Sequence, residues 1–148
     1  MNRINIPPFY LLLSVIALFV LNYTIPLMVL FYPPFNYFGV VIVFSGLALV
    51  LWHADYFKRY ETPIKPFEHS THLIKEGMYK YSRNPIYLGM GVILFGGAMV
   101  LGSISPFVVV PVFIIFIERA FIVKEEKFLE NIFGNEYLDY KKSVRRWI

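Results

Sequence analysis

Cysteine is absent from the 148-residue chain, which excludes disulfides, thiol nucleophiles and thiolate metal ligands. Histidine is scarce: only His53, His69 and His72 occur. His69 and His72 are three apart, but Pro63 and Pro66 make the segment before them read as a loop. With no cysteine to complete a ligand set, each histidine is expected to be a satisfied surface residue, and no metal is expected. No glycine-rich loop carries a phosphate-cradling lysine, and no Ser–His–Asp order can be placed. The largest absence is of charge. Residues 4–54 and 84–117 contain no Lys, Arg, Asp or Glu. A soluble domain that is 57% hydrophobic and 16% charged could not cover its surface, and runs of this kind read as membrane spans.

The charge that is present has a pattern. Apart from Arg3, all 14 Lys and Arg and all 10 Asp and Glu fall in residues 55–83 and 118–146. The net charge of +4 flanks apolar runs, which points to membrane topology and anionic lipid rather than nucleic acid. The N-terminal stretch lacks a small-residue cleavage site and stays apolar beyond it, so it is expected to be a retained span. Four spans are expected, at about 8–30, 37–55, 86–101 and 106–122. Pro26 should kink or end the first, "YPPFNY" marks the first turn and "GSISP" the second reversal. The two uncharged loops then face one side. Arg3, the 58–83 segment and the tail share the other, which the positive-inside rule makes cytoplasmic, together with both termini. The expected fold is all-α integral membrane, one domain over 1–148 in the cell (inner) membrane, with a cytoplasmic helical tail at 123–148. In the tail, Phe128, Leu129, Ile132 and Phe133 form an apolar stripe and Gly134-Asn135 a helix stop. The segment "EYLDYKKSVRRWI" suits lying along the lipid interface.

Chemistry-bearing residues gather at one face. Lys65, Lys75, Lys80 and Arg83, with Tyr79 and Tyr81 between them, precede the third span. Glu118, Arg119, Lys124, Glu125 and Glu126 close the fourth. A hairpin of spans three and four would bring Arg83, Tyr87, Gly89 and Gly91 near these acids. Glu118 and Glu125, seven apart, are expected on one helix face. Acids so close to a bilayer are candidates for function. The plainer alternative is a helix leaving the bilayer, with glycines that permit close helix packing.

Two blocks carry a family resemblance. "GMYKYSRNPIYLG" (77–89) resembles the pattern G-x-Y-x-x-x-R-H-P-x-Y-x-G of isoprenylcysteine carboxyl methyltransferases. "EEKFLENIFGNEYLDYKKSV" (125–144) resembles that family's C-terminal signature. Asn84 stands where the first pattern has histidine, and Thr71 where members place another, with His72 one position off. The chain looks more like the small prokaryotic members. Related phospholipid methyltransferases carry a G-x-G on one span and an E-E after the next; Gly89-Met90-Gly91 and Glu125-Glu126 stand in those places.

The resemblance implies an integral-membrane methyltransferase with S-adenosylmethionine as methyl donor and a lipophilic or prenylated acceptor. The cofactor site would be cytoplasmic, built by the C-terminal hairpin and tail. Gly77, Tyr79, Tyr81, Asn84, Pro85, Gly89, Gly91, Glu125 and Glu126 would line it, and Arg83, Glu126 and Tyr87 would be the catalytic candidates. Arg83 could clamp a carboxylate of either cofactor or acceptor, and Glu126 or Tyr87 could serve as a base. A phospholipid amine or a small thiol are the alternative acceptors. The alternative of another class is a four-span protein that binds lipid or a partner without catalysis.

Overall fold

A computed structural model describes residues 6–59 and 72–148. The expectations for Arg3, Pro63, Lys65, Pro66, His69 and Thr71 lie outside the described residues. Within them the architecture is all-helical and no strand forms.

Helix α1 (Pro7–Thr24) opens with proline at its first turn, where the missing N–H costs nothing. It stops at Thr24 rather than running to 30. Pro26 forces Ile25 out of the helical region, to φ −133° and ψ 61°. The following residues run extended and pair with the far reversal: Leu30 N–H donates to Gly102 O at 2.7 Å and Ile104 N–H to Met28 O at 3.0 Å. A short 3₁₀ turn (Phe35–Tyr37) leads into α2 (Phe38–Arg59). Helix α3 (Pro85–Leu101) again starts on proline and ends at Gly102. Helix α4 (Val109–Ile117) passes through a π turn (Glu118–Ile122) into α5 (Val123–Phe133) without a break. Gly134, at φ 53°, reverses the chain. There α6 (Asn135–Ser143) begins, and a non-helical tail follows it.

Among the described residues, three helical stretches are long and apolar enough to cross a membrane: Pro7–Thr24, Phe35–Asp55 and Ser105–Phe133. The third therefore continues through the expected helix exit near 122 into the tail. Helix α3 has 17 residues, about 25 Å of helix, somewhat less than the ~30 Å hydrocarbon core. It is also the most enclosed helix. Met90, Leu94 and Ala98 meet Leu18 of α1 and Val109, Phe113 and Ile117 of α4 in the core. By contrast, Leu12, Ile16 and Phe19 of α1 and Val41, Phe44, Leu51 and Trp52 of α2 are exposed, as expected of helix faces that meet hydrocarbon instead of water.

Helices α2 and α3 pack backbone to backbone. Gly39 and Gly46 are seven apart on one helix, Gly89 and Gly96 seven apart on the other, so each pair shares a face. Antiparallel, Gly39 meets Gly96 and Gly46 meets Gly89. A Cβ on Gly96 would lie 2.7 Å from Gly39 O and from Val43 N, and one on Gly46 2.8 Å from Gly89 O. Small residues at such a crossing let dispersion contacts and weak backbone interactions accumulate. Gly91 differs: its Cβ would meet nothing closer than Ile114 at 3.9 Å.

The same substitution should therefore act oppositely at two glycines. Gly96→Ala is expected to cost about 1–3 kcal/mol by forcing the helices apart, and Gly91→Ala to leave stability unchanged or raise it by up to about 1 kcal/mol. Thermal unfolding in detergent, followed by circular dichroism, measures both.

Candidate functional site

The site begins with a buried carboxylate. Glu126, on the first turns of α5, is 5% exposed. Burying an ionised carboxylate is costly without compensating charge and hydrogen bonds, and here the compensation comes from both ends of the C-terminal half. Arg146 donates to it twice, Nε to Oε1 at 2.9 Å and Nη2 to Oε2 at 2.8 Å. Arg83, at the foot of α3, adds Nη2 to Oε1 at 3.1 Å. Lys141 Nζ stands 3.9 Å from Oε2.

Arg146 also reaches Glu118 through Nη1 at 2.6 Å, and Trp147 Nε1 donates to the other Glu118 oxygen at 3.0 Å. Glu118 therefore shares a cationic partner with Glu126, eight residues on, while Glu125 faces elsewhere. The expected Glu118/Glu125 face assumed an unbroken α-helix. The π turn at 118–122 absorbs one extra residue, which advances the register so that Glu126 comes under Glu118. Glu125 instead accepts a hydrogen bond from Tyr87 Oη of α3 at 2.7 Å.

The loop before α3 is fixed by the tail. Arg83 N–H donates to Arg145 O at 3.0 Å. Asn84 Nδ2 donates to Arg146 O at 3.0 Å and Ser82 Oγ to the same oxygen at 3.4 Å. Asn84, where the family pattern has histidine, thus has a partner in the tail backbone. Helix α6 is anchored to the same loop. Tyr140 Oη donates to Tyr79 O at 2.6 Å in a buried position, and Lys75 pairs with Glu136 at 2.7 Å. Burial raises the phenol pKa of Tyr79, of Tyr140 and, to about 12, of Tyr137; neighbouring Tyr140 and Tyr137 charge would add to the first two, Glu126 to the third. Each hydroxyl therefore keeps its proton, and its capacity to donate, at neutral pH. The tail is docked on protein here rather than laid along lipid, although Ile148 remains exposed.

The Arg83 side chain is 8% exposed, yet its Nε and Nη1 have no hydrogen-bond partner among the described residues. Two buried guanidinium donors without acceptors are a costly arrangement, and a planar fork of this kind suits a ligand carboxylate.

The other expected site residues divide. Arg83, Glu126, Tyr87, Glu125, Asn84 and Pro85 come together, with Tyr79 behind them and Gly77 at φ 60° opening its turn. Gly91 lies one helical turn further along, facing Ile114. Gly89 faces α2, against Gly46 and Val50. Tyr81 is 67% exposed. His53, expected at the surface, is fully buried; its Nδ1 lies 2.7 Å from Leu49 O and its ring packs edge-on to Tyr79. Arg146, Trp147 and Tyr140 were not among the expected site residues. Tyr140 did fall within the C-terminal family block at 125–144, whereas the only signal for Arg146 and Trp147 was an arginine pair beside tryptophan, a composition that fits a lipid interface equally well.

A family model described as phospholipid methyltransferase matches residues 35–136. An uncharacterized protein of Haemophilus influenzae is 40% identical over 63 residues, 43% of this chain and 100% of its own length. The Protein-S-isoprenylcysteine O-methyltransferase of Schizosaccharomyces pombe is 35% identical over 75 residues, 49% of this chain and 30% of its own. The chain thus spans the whole of the first relative and less than a third of the second. No solved structure gives a significant match.

Tyr140→Phe should cost about 1–3 kcal/mol, since it leaves the buried Tyr79 carbonyl without its donor. The raised phenol pKa values add a pH signature. The stability contributed by Tyr137 is complete below its ordinary 10.0 and is lost as pH rises through about 12. Denaturant unfolding from pH 8 to about 12 checks both, and Tyr137→Phe should flatten the alkaline decline.

Proposed function

The chain belongs to the phospholipid methyltransferase family, and from that premise we propose that it is an integral-membrane methyltransferase that uses S-adenosylmethionine to methylate a lipophilic acceptor. The observation that carries this reading is Arg83, buried with two unpartnered donors beside the Glu125–Glu126 pair. We read α3 as a fourth crossing beside the three longer spans, with both termini and the site on the cytoplasmic side of the cell membrane. The charge-free loops then lie opposite.

The residues fit the cofactor's chemistry. When bound, it would supply an activated methyl on a sulfonium, next to an α-amino acid group and a nucleoside. Arg83 offers two donors to a carboxylate. Glu125, oriented by Tyr87, offers acceptor oxygens to an ammonium or to ribose hydroxyls. Tyr87 presents a π face suited to a cation. The enclosed packing of α3 keeps water from the reacting atoms, and alignment is the main contribution such a site makes.

Glu126, held by two guanidinium groups, is a poor proton acceptor, and the Tyr87 proton is committed to Glu125. This favours an acceptor that arrives ionised, such as a carboxylate of the isoprenylcysteine type. A phospholipid amine would need a base, and Glu125, with tyrosine rather than arginine as its partner, is the residue that could provide one; a small thiol is the third acceptor class. The acceptor's hydrocarbon part has a matching surface. A groove of about 440 Å³ between α1 and α4 is lined by Tyr10, Leu13, Ala17, Val112 and Phe116 among others. Tyr10, which lines the groove, also packs on Phe121 of the π turn at 5.6 Å.

Calorimetric titration of the purified protein in nanodiscs should detect S-adenosylhomocysteine, and absence of binding there and in detergent overturns the proposal. Arg83→Ala and Glu126→Gln should each weaken that binding by about tenfold or more, the scale of a lost charge-assisted hydrogen bond, while the protein still folds. Ser14→Trp, which fills the groove, should lower turnover of long-chain acceptors without changing S-adenosylhomocysteine affinity. Methylation assays with prenylcysteine, aminophospholipid and thiol acceptors assign the class.

A further inference from the structure

Residues 145–148 lie beyond the stretch matched by the family model, 35–136, yet they complete the charge network. All three guanidinium nitrogens of Arg146 are engaged: Nε and Nη2 on the two oxygens of Glu126, at 2.9 and 2.8 Å, and Nη1 on Glu118 at 2.6 Å. Trp147 takes the remaining Glu118 oxygen at 3.0 Å, which fixes Glu118 as an abutment for Arg146. Arg83 reaches the same Glu126 with one nitrogen only, at 3.1 Å, and keeps Nε and Nη1 buried without partners among the described residues. A guanidinium beside an unoccupied carboxylate tends to take both oxygens in parallel. Here Arg146 already holds them in that geometry.

We propose that Arg146 is a positioning residue: by saturating Glu126 it restrains Arg83 to a single contact and keeps two Arg83 donors free for a ligand carboxylate. The backbone supports this coupling. Arg145 and Arg146 carbonyls accept from Arg83 N–H and Asn84 Nδ2, both at 3.0 Å, so the two arginines are held in one frame. Without Arg146, Glu126 would draw Arg83 into a closed pair, and the site would lose its preference for carboxylates. The inference rests on the methyltransferase reading. The carboxylate could belong to the amino acid part of the cofactor or to the acceptor.

Two ligand pairs distinguish these sources by calorimetry on the full chain in nanodiscs. S-adenosylhomocysteine is compared with its α-carboxamide, which keeps the ammonium and lacks only the carboxylate, and N-acetyl-S-farnesylcysteine with its methyl ester. The wild type should prefer the acid in one pair by about tenfold or more, and that pair identifies the source. Arg146→Ala should bring the preference close to unity while the carboxylate-free member still binds within about threefold of wild type, well inside the loss expected for a direct charged contact. Arg146→Lys keeps the charge but cannot make the parallel pair; it should also reduce the preference, and it carries the test if Arg146→Ala fails to fold. A preference retained in both variants, or equal loss of both members of the pair, overturns the inference, as does a wild type that binds without preference. A wild type that binds none of the four ligands overturns the methyltransferase reading itself, and this inference with it.

Discussion

A carboxylate shut away from water has to be met by positive charge, and Glu126 is met by arginines that lie on either side of it in sequence. Arg83 stands before α3 and Arg146 beyond α6, so the chain must fold back across the site to satisfy one residue. The reversal at Gly134, the Tyr140–Tyr79 hydrogen bond and the docking of the tail on the Ser82–Asn84 loop all serve that closure. Truncating one partner of such a network leaves a buried charge exposed to the full desolvation penalty. For that reason the network is better understood as a device for geometry than as a store of stability.

The other end of the arrangement is set by packing without charge. Glycines at 39, 46, 89 and 96 let α2 and α3 touch along their backbones, and α1 and α4 close over the opposite side of α3. With α3 held in this way, the position of its foot is determined, and Arg83 and Tyr87 are presented at a fixed depth. Close packing in the apolar layer and charge compensation beneath it are thus two parts of one construction. The first locates α3, and the second uses its first turn.

Much of this was legible in the chain itself. The charge-free runs mark the helices, Pro26 ends α1, Pro85 starts α3 and Gly134 stops α5, each for a local steric reason that needs no tertiary knowledge. The proximity of Arg83 to Glu126 followed from a hairpin of α3 and α4. What could not be read were the features decided by tertiary contact. The apparent Glu118–Glu125 face dissolved because helical periodicity assumes a constant turn, and nothing in "ERAFI" announces a wider one. His53 was expected at the surface because no ligand set could be completed around it, but it is fully buried, with its ring edge-on to Tyr79. Gly89 carried two expectations, a cofactor site and close helix packing; it lies against Gly46 and Val50 of α2, and a glycine that admits a ligand and one that admits a helix look the same in sequence. The tail's mixture of aromatic and basic residues fits lipid headgroups and buried acids equally well, and only the location of Glu118 and Glu126 decides between them.

The π turn at Glu118–Ile122 has a wider meaning. One uninterrupted rod runs from Val109 to Phe133, yet its two halves answer to different solvents. Above the turn the side chains are sorted by hydrocarbon; below it, by water and ions. A helix of constant pitch would couple those two patterns, so that any change on the lipid side would rotate the acids below. One wide turn works like a slipped gear tooth and gives each half its own phase. The apolar half can then drift in sequence and still deliver Glu125 and Glu126 to opposite partners, whereas removal of a single residue within the turn would swing both carboxylates by roughly 100° and dismantle the site without touching any residue that forms it.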